Sequence, residues 1–283
     1  MLKNIIKTAA AVALGLTLTA CGDDKNEQSQ RTENTATKVT EVKLGVVGEH
    51  TEEWKLVASK LEKEEIKLTI VKFADYTLPN RALNDGDIDL NAFQHKAFLD
   101  ADCKANGYKL SYIADTIISP LGAYSNKIKS IDELKNGDTV ALPNDPTNGG
   151  RALKLLEKAG VIKLDESKGY LPTVRDVTEN TKSIKFYEVD AGNTPSLIPD
   201  VAISIINANY ATDNGLTPDK DAIYQDTTGK IDANNPYINI VAARTADKDN
   251  PVYKKVVEAY QQKDVAEKIL ELYKHSQIPV FKY

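Results

Sequence analysis

Residues 139–151 read TVALPNDPTNGGR. An apolar run ends at Pro143, and Asn144, Asp145 and Pro146 supply a turn signal directly after it. Asn148, Gly149, Gly150 and Arg151 then open a helix with Leu153, Leu155 and Leu156 inward and Gly160 as its stop. A strand leading through a tight loop into a helix is the building unit of α/β folds with mostly parallel sheets. The free N–H groups of such a helix start, with the helix dipole, favour an anion. Arg151 in the first turn can add a two-pronged contact to a carboxylate. Two readings fit this stretch: an α-carboxylate site, or a capped helix with a solvated arginine.

The same alternation extends in both directions. Residues 42–47, 66–73 and 88–92 read as strands, and helices are predicted near 52–61, 78–85 and 96–106. Thr51 is a candidate cap for the first helix, and Glu52 and Glu53 suit its positive end. Residues 109–114 and 116–124 are extended and apolar. Capping-box spacing at Ser130 and Glu133 restarts the series, which suggests a second lobe. Strands follow at 184–189, 201–206 and 237–243, with terminal helices at 251–262 and 265–275. In open α/β sheets ligands bind beyond the carboxyl ends of strands. Those segments carry Tyr76, Phe93, His95, Asn148, Arg151, Asn207, Tyr237 and Asn239. Asn207 and Asn239 lie at or inside apolar strands and need hydrogen-bond partners, from backbone or from a ligand. Phe93, Tyr76, Tyr124 and Tyr237 fit either a pocket wall or a core, and His95 either a packed ring or a ligand contact.

The 283 residues are 41% hydrophobic and 27% charged, with a net charge of −5. That is ordinary globular composition, and it lacks the basic surplus of a nucleic-acid groove. The two cysteines and three scattered histidines predict no disulfide framework, no metal site and no cofactor. Residues 1–20 read as a signal peptide: Lys3 and Lys7, then an apolar run too short to span a bilayer. The run ends in Leu18-Thr19-Ala20-Cys21, which resembles a bacterial lipobox, so Cys21 is the expected lipidation site. Cleavage there removes two lysines and takes the charge from −5 to −7. Cys103 is then left unpaired, as a structural thiol. Residues 21–40 carry almost no large apolar side chain and read as a flexible tether, roughly 25 Å long on average.

Three segments carry a family likeness: DYTLPNRALNDGDIDLNAFQHKAFLD at 75–100, KSIDELKNGDTVALPNDPTNGGRAL at 129–153 and YLPTV at 170–174. They closely resemble methionine-binding lipoproteins of the NlpA/MetQ type, the substrate-binding components of methionine ABC transporters. The likeness runs from about Val42 to the C-terminus. It implies a two-lobed, type II-like periplasmic-binding-protein fold with the ligand cleft between lobes. The expected division is 41–124 plus 236–283 for lobe 1 and 125–235 for lobe 2, with hinge crossings near 124–127 and 235–237. The family pocket falls on Tyr76, Phe93, His95, Asn148, Arg151, Asn207 and Asn239. Tyr124 and Tyr237 are added to it from position in the sequence.

The resemblance implies a lipid-anchored, extracytoplasmic, monomeric protein that delivers methionine to a permease and its ATPase. Arg151, helped by N–H groups near Asn148, is expected to take the ligand carboxylate. Asn207 and Asn239 face its ammonium, with Glu49 as a charged partner, and Phe93, Tyr76 and His95 surround the thioether. Gly48-Glu49-His50-Thr51-Glu52-Glu53-Trp54 departs from the family pattern, which leaves a methionine-containing dipeptide or another amino acid as alternative ligands. A surface adhesin is the alternative of a different class. Catalysis is disfavoured, because no serine or cysteine lies near His95 in sequence.

Overall fold

The structure, a computed structural model, describes residues 39–226 and 234–283. The expected leader, Cys21 and nearly all of the tether lie outside the described residues.

The chain runs β1 (Thr40–Val47), α1 (Glu52–Leu61), β2 (Ile66–Phe73), α2 (Pro79–Asp85), β3 (Leu90–Asn91), α3 (Lys96–Asn106) and β4 (Leu110–Ile118). It continues with β5 (Leu121–Tyr124), β6 (Thr139–Pro143), α4 (Pro146–Lys158), β7 (Lys163–Leu164), β8 (Val177–Glu179), β9 (Lys185–Val189) and β10 (Ile203–Asn207). Then come α5 (Ala208–Asp213), α6 (Pro218–Asp221), β11 (Tyr224–Gln225), β12 (Ile238–Arg244), α7 (Pro251–Tyr260), α8 (Lys263–Leu272) and β13 (Ile278–Pro279). Two sheets form, in the orders β13-β4-β12-β3-β1-β2 and β11-β5-β10-β6-β9, beside a small β7-β8 hairpin.

Each sheet is buried on both faces, which is why its central strands are apolar throughout. In β12, Val241 and Ala243 pack into a core with Trp54, Val57, Leu61, Val256 and Ile269 from α1, α7 and α8. Its alternate residues Ile240 and Ala242 pack with Leu83, Ile88 and Leu99 on the opposite face. In the second sheet, Val140, Leu142, Ile203 and Ile205 meet Leu153, Leu155 and Leu156 of α4. Gly86 and Gly107 close α2 and α3 with φ of +86° and +73°.

Three expectations are corrected. The α/β class holds, but both sheets are mixed. β1 pairs parallel with β2 and β3, whereas β12 runs antiparallel to β3 and β4. Likewise β6 is parallel to β9 and β10, and β5 antiparallel to β10 and β11. The first passage between sheets lies at residues 119–120, not 124–127, because β5 belongs to the second sheet. Residue 120 is Pro120, whose missing N–H ends the ladder inside what reads as one apolar run. Finally, the Thr51 side chain makes no capping bond to α1; its backbone N–H donates to the Glu52 carboxylate at 3.0 Å.

Candidate ligand-binding site

The carboxyl ends of β1, β3, β4 and β10, with the first turns of α1 and α4, surround one cavity. It encloses about 860 Å³ of space, the open solvent at its mouth included. Tyr76, Phe93, His95, Asn148, Arg151, Asn207 and Asn239, scattered over more than half the sequence, share its wall.

Asp145 organises the start of α4. Its Oδ1 accepts the N–H groups of Thr147 (3.2 Å) and Asn148 (2.9 Å), and its Oδ2 accepts Asn148 Nδ2 at 2.9 Å. This corrects the expected anion site: those N–H groups already serve a carboxylate of the chain itself. The two glycines have a packing reason. A Cβ on Gly149 would lie 2.7 Å from the Pro143 carbonyl oxygen, and one on Gly150 would lie 2.9 Å from that of Tyr170.

Asn148 Oδ1 is thereby aimed away from Asp145, and it accepts Asn207 Nδ2 at 2.8 Å. His95 caps α3, and its Nδ1 accepts the Phe98 N–H at 3.1 Å. The ring proton therefore sits on Nε2, which donates to Asn148 Oδ1 at 3.3 Å. Burial, reinforced by the Arg151 charge, drives the His95 pKa down to about 3, so the ring is neutral. His95 also forms a single antiparallel bridge with Asn239. This network joins the two sheets and fixes each amide, yet Asn207 Oδ1 is buried with no partner among the described residues.

Arg151 is only 4% exposed. Its Nε donates to Asp226 Oδ2 at 2.5 Å and its Nη2 to the Ser119 carbonyl at 2.7 Å. The guanidinium also lies 4.5 Å from the centre of the Tyr237 ring. It is thus held rigidly at the cavity edge rather than solvated. Beside this polar end, the rings of Tyr76, Phe93 and Phe98 form a cluster with centroids 5.8–5.9 Å apart. The Tyr76 hydroxyl donates to Asn209 Oδ1 at 2.5 Å, across the cleft.

Three expected residues stand outside the cavity wall. Glu49 is exposed and pairs with Lys72 Nζ at 2.7 Å. Tyr124 follows β5 into the second sheet and packs with Ala191, Ile206 and Tyr210. Tyr237 lies behind the wall, against Arg151 and His95. Cys103 has no disulfide partner among the described residues and is half-buried, and burial pushes its thiol pKa up.

The 48–54 segment that departs from the family pattern does reach the cavity, through His50, Glu53 and Trp54, whereas the sequence reading missed Tyr260, Tyr273 and Gln277 in the same wall. Glu53 was detectable: it shares one helix face with Val57 and Leu61, four and eight residues on, so a carboxylate stands on the apolar side of α1. Tyr260 and Tyr273 come from the C-terminal helices, and nothing local marks them.

The sequence profile of the NlpA lipoprotein family matches residues 42–281. The D-methionine-binding lipoprotein MetQ of Escherichia coli K12 is 43% identical over 268 residues, covering 92% of this chain and 93% of that protein. A nutrient-binding protein of Burkholderia cenocepacia, solved bound to methionine, superposes with a TM-score of 0.80 at 42% identity, covering 85% of this chain and all of that one. Protein PG110 of Staphylococcus aureus gives a TM-score of 0.82 at 45% identity, covering 86% of this chain and 95% of that one. With a matching profile over most of its length and a shared fold, the chain belongs to the NlpA lipoprotein family.

Proposed function

We propose that this protein is a solute-binding lipoprotein that captures methionine outside the cytoplasm and hands it to an ABC importer. The observation that carries the reading is Asn207 Oδ1, a buried acceptor without a donor, in the same cavity wall as the Arg151 guanidinium. An α-amino acid supplies an ammonium for the first and a carboxylate for the second. The Tyr76–Phe93–Phe98 cluster suits a thioether, at roughly 0.3–1.5 kcal/mol for each sulfur–aromatic contact. Leaving Asn207 unpaired penalises ligands without an α-amine, by about 1–3 kcal/mol. Relatives that bind methionine support the assignment.

The two sheets serve as lobes in this reading, and closure is a hinge motion at residues 119–120 and near residues 235–237. The ligand leaves unchanged, so no catalytic group is assigned. Lipidation of Cys21 anchors the protein to the membrane, where the permease and its ATPase are the partners. A methionine-containing peptide is the second reading, favoured by the extension of the cavity to Glu53 and Trp54.

Mass spectrometry of whatever the denatured, purified protein releases, followed by calorimetric titration with that compound, tests the assignment. Methionine released and tightly rebound is the expected result. A chain that releases nothing and gives no heat with methionine or any methionine peptide is not a methionine carrier.

A further inference from the structure

Glu53 is a buried acid that the methionine site does not use. It is 7% exposed and lines the cavity from the first turn of α1. Its Oε1 accepts the Tyr273 hydroxyl at 3.3 Å, a long bond, and its Oε2 has no partner among the described residues. A carboxylate in that setting needs a donor, and a cation satisfies it best.

The groups around it supply none. His50 edges the Tyr273 ring at 6.2 Å rather than meeting the carboxylate. The Tyr260 hydroxyl is engaged by Thr116. On α1 itself, Glu52 repels the charge, and Lys55 offers only the weakest of the attractions while pairing with Glu52 at 3.6 Å. Burial accordingly pushes the Glu53 pKa up to about 7, against the pull of its own backbone N–H and of Tyr273.

We propose that Glu53 is a specificity-determining residue that receives a primary ammonium group of the ligand inside the cavity. This rests on the solute-binding reading above and sharpens it. The source is the N-terminal ammonium of a short peptide ending in methionine, because the α-ammonium of free methionine lies one carbon from the carboxylate that Arg151 takes and is met by Asn207. An arriving ammonium favours ionised Glu53, so binding near neutral pH expels protons to solvent.

Calorimetry of the full chain and of Glu53→Gln, at pH 7 in two buffers of different ionisation enthalpy, provides the test. The probes are L-methionine, alanyl-methionine and N-acetyl-methionine. Glu53→Gln is expected to weaken alanyl-methionine at least tenfold and to abolish the proton release that accompanies it. L-methionine, whose ammonium goes to Asn207, and N-acetyl-methionine, which has no ammonium, treat both chains alike. If the unaltered chain does not bind alanyl-methionine, or both chains bind it within twofold and release protons equally, Glu53 has no such role, and tight L-methionine binding leaves the methionine reading standing. If the unaltered chain binds neither amine, both fall together. Should Glu53→Gln lose its fold, Glu53→Asp keeps the charge and must retain proton release with reduced affinity; its absence overturns the proposal.

Discussion

Arg151 and Glu53 line one cavity, and the fold treats the two charges in opposite ways. Arg151 has Asp226, a backbone carbonyl and an aromatic face. Glu53 has only its own backbone N–H and one long hydrogen bond from a phenol among the described residues. A buried charge with fixed partners is a rigid anchor, whereas one without them sits near its own neutralisation point. The lesson is that burial alone does not define a binding group; what matters is which of its valences the protein has left open.

The largest effects should separate two buried titrating groups of the cavity, Glu53 and His95, by sign. Folded Glu53 holds its proton up to about pH 7, while an unfolded glutamate releases it near 4.5. Its contribution therefore declines as pH rises between those values, by roughly 3 kcal/mol in all. Folded His95 stays neutral down to about pH 3, while unfolded histidine charges below about 6.5. Its contribution is lost as pH falls through that window, by roughly 5 kcal/mol. Between about pH 4.5 and 6.5 the two slopes oppose each other. Urea unfolding across this range should show Glu53→Gln steepening the rise of stability with pH, and His95→Gln turning it downward. Parallel curves for both variants would dissolve the comparison.

Arg151→Ala removes the anchored cation and strands Asp226. Methionine affinity should fall by about a hundredfold or more, near 3 kcal/mol, on calorimetric titration. Gly150→Ala should lower unfolding stability by about 1–3 kcal/mol in a thermal melt. The new methyl meets the Tyr170 carbonyl oxygen and Leu171 Cα, at 2.9 and 3.2 Å, and backbone cannot step aside as a side chain can. Glu49→Ala should do least. Its carboxylate is solvent-facing and paired with Lys72, so affinity should stay within twofold and the thermal midpoint should not move.

Much of the cleft was legible because its residues follow strands. The strand-end rule made Tyr76, Phe93, His95, Asn148, Arg151 and Asn207 candidates with a core or capped reading still open, the family likeness chose between the two, and all six line the cavity. It failed where a residue's sheet was misassigned. Tyr124 also ends a strand, but Pro120 had already handed that strand to the second sheet. The anion reading of the 139–151 loop failed for a different reason. Helix-start N–H groups attract any carboxylate, and Asp145 is covalently closer than a ligand. Glu49 and Glu53 show the limit of reading charge without the helix start: Glu49 precedes α1 and faces water, whereas Glu53 stands in its first turn and lines the cavity. The short strands β7, β8, β11 and β13 carry too few residues to show a period at all.

One side chain gives the molecule an optical property. Trp54 is the chain's single tryptophan, it lines the cavity, and its indole stacks on Tyr260 with centroids 4.4 Å apart. Emission excited at the red edge of the protein band therefore comes from one place, the wall beside Glu53. A ligand that fills that end must alter the polarity and quenching around a lone fluorophore, so occupancy is readable in the native chain without any label.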